Sequence, residues 1–248
     1  MENKDALRKT VLARRDALPS RVRAEKSAHI CMELAKELDT LSTVHEQSAL
    51  PEQRAHSSIC SGSLLVAVFS SMGSEVDLTP FVRTAYARGA RVAFPCMIKN
   101  PAWHKATEAS LSPEVAAPAC HRNAACTPHE PYTPRNLMEF YEVTAEQFEN
   151  GKAPFVERPL RSFAPDAEEL DAFTHVAPGE IDFALCPLVA FDAANNRLGY
   201  GGGNYDAFLS CVRPDVRIVG VGFAEQEVPC GAIPLEPHDL PLPHVVSA

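Results

Sequence analysis

Leu64-Leu65-Val66-Ala67-Val68-Phe69 is the stretch on which the fold turns. It is a short unbroken apolar run, and strands of that kind are buried on both faces, as in a parallel sheet. Working outward toward the C-terminus, Leu78 to Arg88 reads as a helix, closed by Gly89. Arg91-Val92-Ala93-Phe94 is the next strand, and Pro95 is expected to stop it. Strand, helix and strand in that order make a βαβ unit with an expected right-handed crossover. Further on, Leu137 to Val143 alternates as a strand does, and Ile181 to Cys186 is another buried strand ending at Pro187. Tyr205 to Cys211 reads as a helix and Arg217 to Phe223 as a strand, and a tail with Pro234, Pro237, Pro241 and Pro243 is extended.

Toward the N-terminus, Asp5 to about Leu18 predicts a helix with Leu7, Val11 and Leu18 on one face and Lys4, Arg8 and Arg15 on another. Pro19-Ser20 breaks it, and Ser20 caps a second helix carrying Ser27, Ile30, Leu34, Leu38 and Leu41. Segments 42–63, 98–136 and 160–179 lack clear periodicity and read as loops inserted into one domain, residues 1–248. The alternation of strands and helices predicts an α/β fold: a mostly parallel central sheet flanked by helices, Rossmann-like and three-layered, with loop insertions.

Composition sets limits on function. The 248 residues are 46% hydrophobic and 22% charged, enough apolar material for a core without disulfide staples. A net charge of -9 and no block of Lys and Arg argue against nucleic acid as a partner, because such binders carry a basic stripe. No apolar run approaches the ~18 residues of a membrane span. The eight cysteines form no CxxC pair, and Cys120 and Cys126 with His121 and His129 are too loosely spaced for a metal site. Met1-Glu2-Asn3-Lys4-Asp5 contains no apolar leader segment. The expectation is a cytoplasmic chain with reduced cysteines.

The segment that carries chemistry is Phe191-Asp192-Ala193-Ala194-Asn195-Asn196-Arg197-Leu198-Gly199-Tyr200-Gly201-Gly202-Gly203-Asn204-Tyr205-Asp206. It follows a buried strand and precedes a helix, at the carboxyl end of a strand where α/β folds bind ligands. Glycine at 199, 201, 202 and 203 lets backbone N–H groups approach a polyanion. The helix beginning near Asn204 adds its N-terminal dipole, and Arg197 offers a planar donor fork suited to phosphate. Asp206 beside phosphates calls for a cation between them, and Mg²⁺ is the natural one. The spacing is neither GxxxxGK[ST] nor GxGxxG, and a plain glycine-rich turn with Asp206 in the first turn of a helix stays open on these residues alone.

The run Arg197-Leu198-Gly199-Tyr200-Gly201-Gly202-Gly203-x-Tyr205-Asp206, with Phe191-Asp192 before it, resembles the signature of the 5-formyltetrahydrofolate cyclo-ligases, also called methenyltetrahydrofolate synthetases. Lys4-Asp5-Ala6-Leu7-Arg8 resembles that family's N-terminal Lys-x-x-x-Arg, and Ser71-Met72-Gly73-Ser74-Glu75-Val76-Asp77 the segment holding its substrate glutamate. Phe94-Pro95, Met138-Glu139-Phe140 and His238-Asp239 match shorter motifs in the same order. The resemblance implies ATP- and Mg²⁺-dependent conversion of 5-formyltetrahydrofolate to 5,10-methenyltetrahydrofolate, with ADP and phosphate released. It places Lys4, Arg8 and Arg197, Leu198, Gly199, Tyr200, Gly201, Gly202, Gly203, Asn204 and Tyr205 on ATP. It places Ser70, Glu75, Tyr200, Gly201, Gly202, Gly203 and Asn204 on the folate, and Asp206 and Asp239 on Mg²⁺. A monomer is expected. The pattern departs from the family at Asn204, usually aromatic, and at Pro243, usually acidic. A non-catalytic relative that binds folate or nucleotide is the alternative, and an unrelated phosphate-binding α/β enzyme is a third reading.

Overall fold

The computed structural model describes residues 3–48, 63–103, 135–236 and 239–248. Most of the expected insertion at 98–136, with its Cys120, Cys126, His121 and His129, lies outside them, as do residues 49–62 and His238.

Helix α1 (Lys4–Asp16) starts at Asn3, whose side chain accepts the Ala6 N–H. Helix α2 (Ser20–Ser48) follows after Pro19. Strand β1 (Leu65–Ala67), α3 (Thr79–Ala87) and β2 (Arg91–Lys99) form the expected βαβ unit, with β1 and β2 parallel neighbours. Then come β3 (Asn136–Val143), the short helices α4 (Ala145–Glu149) and α5 (Pro154–Glu157), β4 (Ser162–Phe163) and β5 (Thr174–Val176). Strand β6 (Phe183–Pro187), the hairpin β7 (Ala190–Phe191) and β8 (Arg197–Leu198), α6 (Asn204–Leu209), β9 (Arg217–Gly222) and β10 (Val245–Ser247) complete the chain.

The main sheet runs β10-β9-β6-β1-β2-β3-β5, with β4 paired to β2. Its first five strands are mutually parallel, while β3 and β5 pair antiparallel at the far edge. The period of two along β1 divides the core. Val66, with Leu64 and Val68 just outside the strand, faces a large cluster that takes in Ile30, Leu34 and Leu38 of α2 and Phe81, Val82 and Ala85 of α3. Leu65 and Ala67 face the opposite cluster with Phe140, Ala184 and Phe208 of α6. Helices therefore cover both faces, which is the three-layer α/β arrangement the pattern predicts.

Three local expectations change. Residues 42–48 continue α2 rather than forming a loop. Segment 160–179 supplies β4 and β5, short strands too interrupted by proline and acidic residues to show a period. Pro95 does not end β2. The Arg91 N–H donates to Leu64 O, so positions 93 and 95 face the same neighbour, and β1 has already ended at that level. A proline there costs no ladder bond.

Candidate active site

The loop after β6 is built to be held open. Asp192 is buried, and its Oδ1 accepts the Ala194 and Asn196 N–H groups at 3.0 Å each while its Oδ2 accepts the Asn196 amide at 2.9 Å. Burial would raise this carboxyl, but the hydrogen bonds outweigh it and hold the group below the usual carboxylate range. Asn195 takes a left-handed φ of 59° at the turn, as Asn tolerates. The hairpin so fixed returns Arg197 and Leu198 under the loop and releases the chain into Gly199–Gly203.

Helix α1 lies against that loop. Leu7 and Val11 pack with Val189, Ala190, Leu198, Val228 and Ile233, which orients the basic face. Arg8 Nε donates to Gly199 O at 2.8 Å, and its Nη1 donates to Asp5 Oδ1. Gly201, at φ 93°, lies directly over the guanidinium: a Cβ there would stand 3.3 Å from Arg8 Cζ. Lys4 Nζ meets Asp239 Oδ2 at 2.8 Å and Glu236 Oε2 at 3.4 Å. The structure thus joins Lys4, Arg8, the glycine loop and Asp239.

Arg197, expected on phosphate, is buried beside Asp206. Its side chain is only 3% exposed, it donates through Nη2 to Asp206 Oδ1, and its guanidinium carbon lies 5.8 Å from the centre of the Tyr205 ring. Its Nε and the Tyr205 hydroxyl are buried without a partner in the structure. The Asp206 carboxylate balances this buried guanidinium, and removing it would leave a buried charge uncompensated. Helix α6 begins at Gly203, φ 65°, and no side chain caps its first turn. Asn204 folds back, so that its Nδ2 lies 3.2 Å from where a Gly202 Cβ would be. It presents an amide where an aromatic ring is usual.

The folate candidates divide. Glu75 is 5% exposed: its Oε2 accepts the Met72 N–H at 2.8 Å and its Oε1 accepts from the Tyr200 hydroxyl. Burial pushes its carboxyl up, with Tyr200, the Met72 N–H and Arg15 opposing. Burial and the Glu75 charge push the Tyr200 phenol up as well, so it donates rather than ionises. Ser70 instead lines a cleft of about 320 Å³ with Phe69, Phe94, Phe148, Asp77 and Thr79. Its Oγ is buried without a partner. Phe69 also borders the seam around Glu75.

Sequence reasoning singled out neither Arg15 nor Glu236 as site residues. Arg15 shares the helix face of Lys4 and Arg8, and that spacing was the available signal. Among the described residues no three His, Cys, Asp or Glu side chains cluster as metal ligands. Two carboxylates, Asp206 and Asp239, flank the loop. Each is engaged by a cation, Arg197 and Lys4 respectively, and two carboxylates do not make a closed protein cage for Mg²⁺. No helix among the described residues is long and apolar enough to cross a membrane. Cys31, Cys96, Cys186, Cys211 and Cys230 are free thiols.

The chain resembles known proteins. The enzyme named 5-formyltetrahydrofolate cyclo-ligase of Escherichia coli K12 is 27% identical over 183 residues, 73% of this chain and 76% of its own. The mouse protein of that name is 34% identical over 73 residues, 29% of this chain and 36% of its own. A solved 5,10-methenyltetrahydrofolate synthetase from Mycoplasma pneumoniae superposes with a TM-score of 0.59 at 17% identity, covering 99% of this chain and 98% of that one. The corresponding Aquifex aeolicus protein gives 0.54 at 22%, covering 98% and 89%. At those identities the two structures speak for the fold. The model of the 5-formyltetrahydrofolate cyclo-ligase family matches residues 1–248, and the chain belongs to that family.

Proposed function

We propose that the chain is an ATP- and Mg²⁺-dependent 5-formyltetrahydrofolate cyclo-ligase acting as a cytoplasmic, single-domain monomer on a small-molecule substrate. The observation that carries this reading is the seating of Arg8 against Gly199 and Gly201, which brings an N-terminal cation to the glycine loop. The family supports the reaction, and the net charge of -9 accords with a small anionic ligand held in a local cleft rather than a nucleic acid.

A formamide oxygen is a poor leaving group. In the proposed reaction that oxygen attacks the γ-phosphorus of ATP and ADP departs, leaving an imidate phosphate. N10 then attacks the formyl carbon, its proton goes to solvent, and the C–O bond breaks with release of phosphate to give 5,10-methenyltetrahydrofolate. The protein needs little covalent machinery. It must hold the two substrates in line and neutralise the phosphate charge.

Lys4, Arg8 and Arg197 supply that neutralising charge, and the backbone of Gly199 to Tyr205 closes on the phosphates. Asp206 and Asp239 are the carboxylates for Mg²⁺. Tyr200 to Asn204 border the folate, Glu75 accepts from donor groups of the pterin, and the unpartnered Ser70 hydroxyl with Phe69 and Phe94 offers a polar handle beside an apolar wall. Asp206 also balances buried Arg197, so its replacement by Ala would mix loss of metal with an uncompensated buried charge.

The test is direct. Purified protein, MgATP and 5-formyltetrahydrofolate are mixed and the near-ultraviolet absorbance of the methenyl product is followed. Growth of that band only when ATP is present is expected. A band that forms without ATP, or none from folded protein, overturns the reading, and ligand binding without turnover then marks a non-catalytic relative.

A further inference from the structure

Arg15 is one of the few charged side chains in the core, with 6% of its side chain exposed. It lies seven residues beyond Arg8 on α1, two helical turns along the same face. Its Nε donates to Ser74 Oγ at 2.9 Å and its Nη1 to the Tyr200 hydroxyl oxygen at 2.8 Å. The same guanidinium reaches to 3.9 Å from Glu75 Oε1, and its carbon stands 6.0 Å from the Tyr200 ring centre. Three separate segments therefore meet on one cation: α1, the Ser74-Glu75 turn and the glycine loop.

The chain of donors has a fixed direction. A guanidinium only donates, so the Tyr200 oxygen accepts from Arg15 and must turn its own proton to Glu75. Glu75 is thus oriented by a phenol whose proton has one place to go. With 6% of its side chain exposed and two of its nitrogens engaged by Ser74 and Tyr200, Arg15 acts through those partners.

We propose that Arg15 is a positioning residue for the folate half of the site: through Tyr200 and Ser74 it sets the Glu75 carboxylate, and it ties that carboxylate to the glycine loop that closes on phosphate. This rests on the cyclo-ligase reading. Glu75 faces Arg15 from α1, Tyr200 and the Met72 N–H from the two loops, and Tyr205 from α6, while Asp16 lies 3.9 Å from the Arg15 guanidinium. Removing the Arg15 charge leaves its burial less opposed, so the carboxyl protonates at higher pH.

The experiment compares the wild type with Arg15→Met, Arg15→Lys, Tyr200→Phe and the double variant Arg15→Met/Tyr200→Phe, with KM measured for each substrate across pH. In Arg15→Met, the KM for 5-formyltetrahydrofolate is expected to rise about ten-fold, roughly 1.4 kcal/mol, with the KM for MgATP changed less than about two-fold. The acid limb of folate affinity should move to higher pH, and Arg15→Lys, which keeps the charge, should return it most of the way. Tyr200→Phe should add little on top of Arg15→Met, because one chain of contacts is already broken. Equal loss for both substrates, an unmoved acid limb or full additivity would overturn the assignment. If Arg15→Met does not fold, Tyr200→Phe carries the same readings, because it also removes a hydrogen bond that holds the Glu75 carboxyl down. A wild type that forms no methenyl product and binds no folate removes the cyclo-ligase reading and this one together, whereas a productive wild type with unaffected variants removes only the role of Arg15.

Discussion

Gly201 shows how much of the site rests on one missing side chain. Its φ of 93° is a conformation that L residues avoid, and the Arg8 guanidinium fills the space beside it. Gly201→Ala would carry a backbone cost of about 1–3 kcal/mol and press a methyl group on Arg8. The KM for MgATP is expected to rise about ten-fold or more, since each 1.4 kcal/mol is a decade, with the melting temperature lower by roughly 2–10 °C from the strained backbone. An unchanged KM would show that the loop does not hold phosphate in this geometry. The glycines stand out by residue type, whereas the N-terminal basic pair stands out only through the family resemblance, since Lys4 and Arg8 alone read as a solvated helix face. The mutual seating of the two does not show in the sequence, because Arg8 and Gly199 are far apart in the chain and only the packing of Leu7 and Val11 on Leu198 brings them together. Arg197 is read by type as a phosphate cation, and its type does not announce its burial, which is decided by the hairpin folding over it.

At the scale of elements, the hairpin β7–β8 is the hinge of the arrangement, and Asp192 is what sets its turn. Its carboxyl is held below the usual range, so the stabilisation it gives is fully present above an ordinary carboxylate pKa of ~3.9 and is lost as pH falls through the depressed native value. Asp192→Ala leaves two backbone N–H groups without their acceptor and is expected to cost about 2–3 kcal/mol. At neutral pH that corresponds to a melting temperature lower by roughly 5–10 °C in a chain of this size. In thermal melts run toward acid, the gap between variant and wild type should narrow, and a gap that widens would mean another group governs the turn. The sequence showed this segment as a strand-to-helix loop, but not that the loop contains its own small sheet. Two-residue strands are too short to show a period, just as β4 and β5 were hidden among prolines. The long apolar runs were read correctly for the converse reason: β1 and β6 are buried on both faces, so nearly every residue in them reports its environment.

Over the whole molecule, the parallel sheet is closed at one edge by the last residues of the chain. Strand β10 pairs with β9 through Val245, Val246 and Ser247, the Gly220 N–H donates to His244 O at 2.8 Å, and the Ala224 N–H to Ala248 O at 2.9 Å. Gly220 must lack a side chain, because a Cβ would stand 2.5 Å from Leu242 Cδ1 and 3.1 Å from Val245 Cγ2. The proline-rich tail reads as extended in the sequence, and extended it is, but its partner strand could be known only once β9 was placed at the edge. Removing His244–Ala248 would take away this ladder and the burial of Val246, together about 3–5 kcal/mol, and would leave β9 as an open edge. Such a truncated chain is expected to melt roughly 6–15 °C lower and to scatter light increasingly with concentration. Asp192→Ala, whose defect leaves no edge exposed, should melt low and stay monodisperse. A truncated chain that remains monodisperse at the wild-type melting temperature would show that β6 and β9 need no closing strand, and that the sheet is held from its faces by α2, α3 and α6 alone.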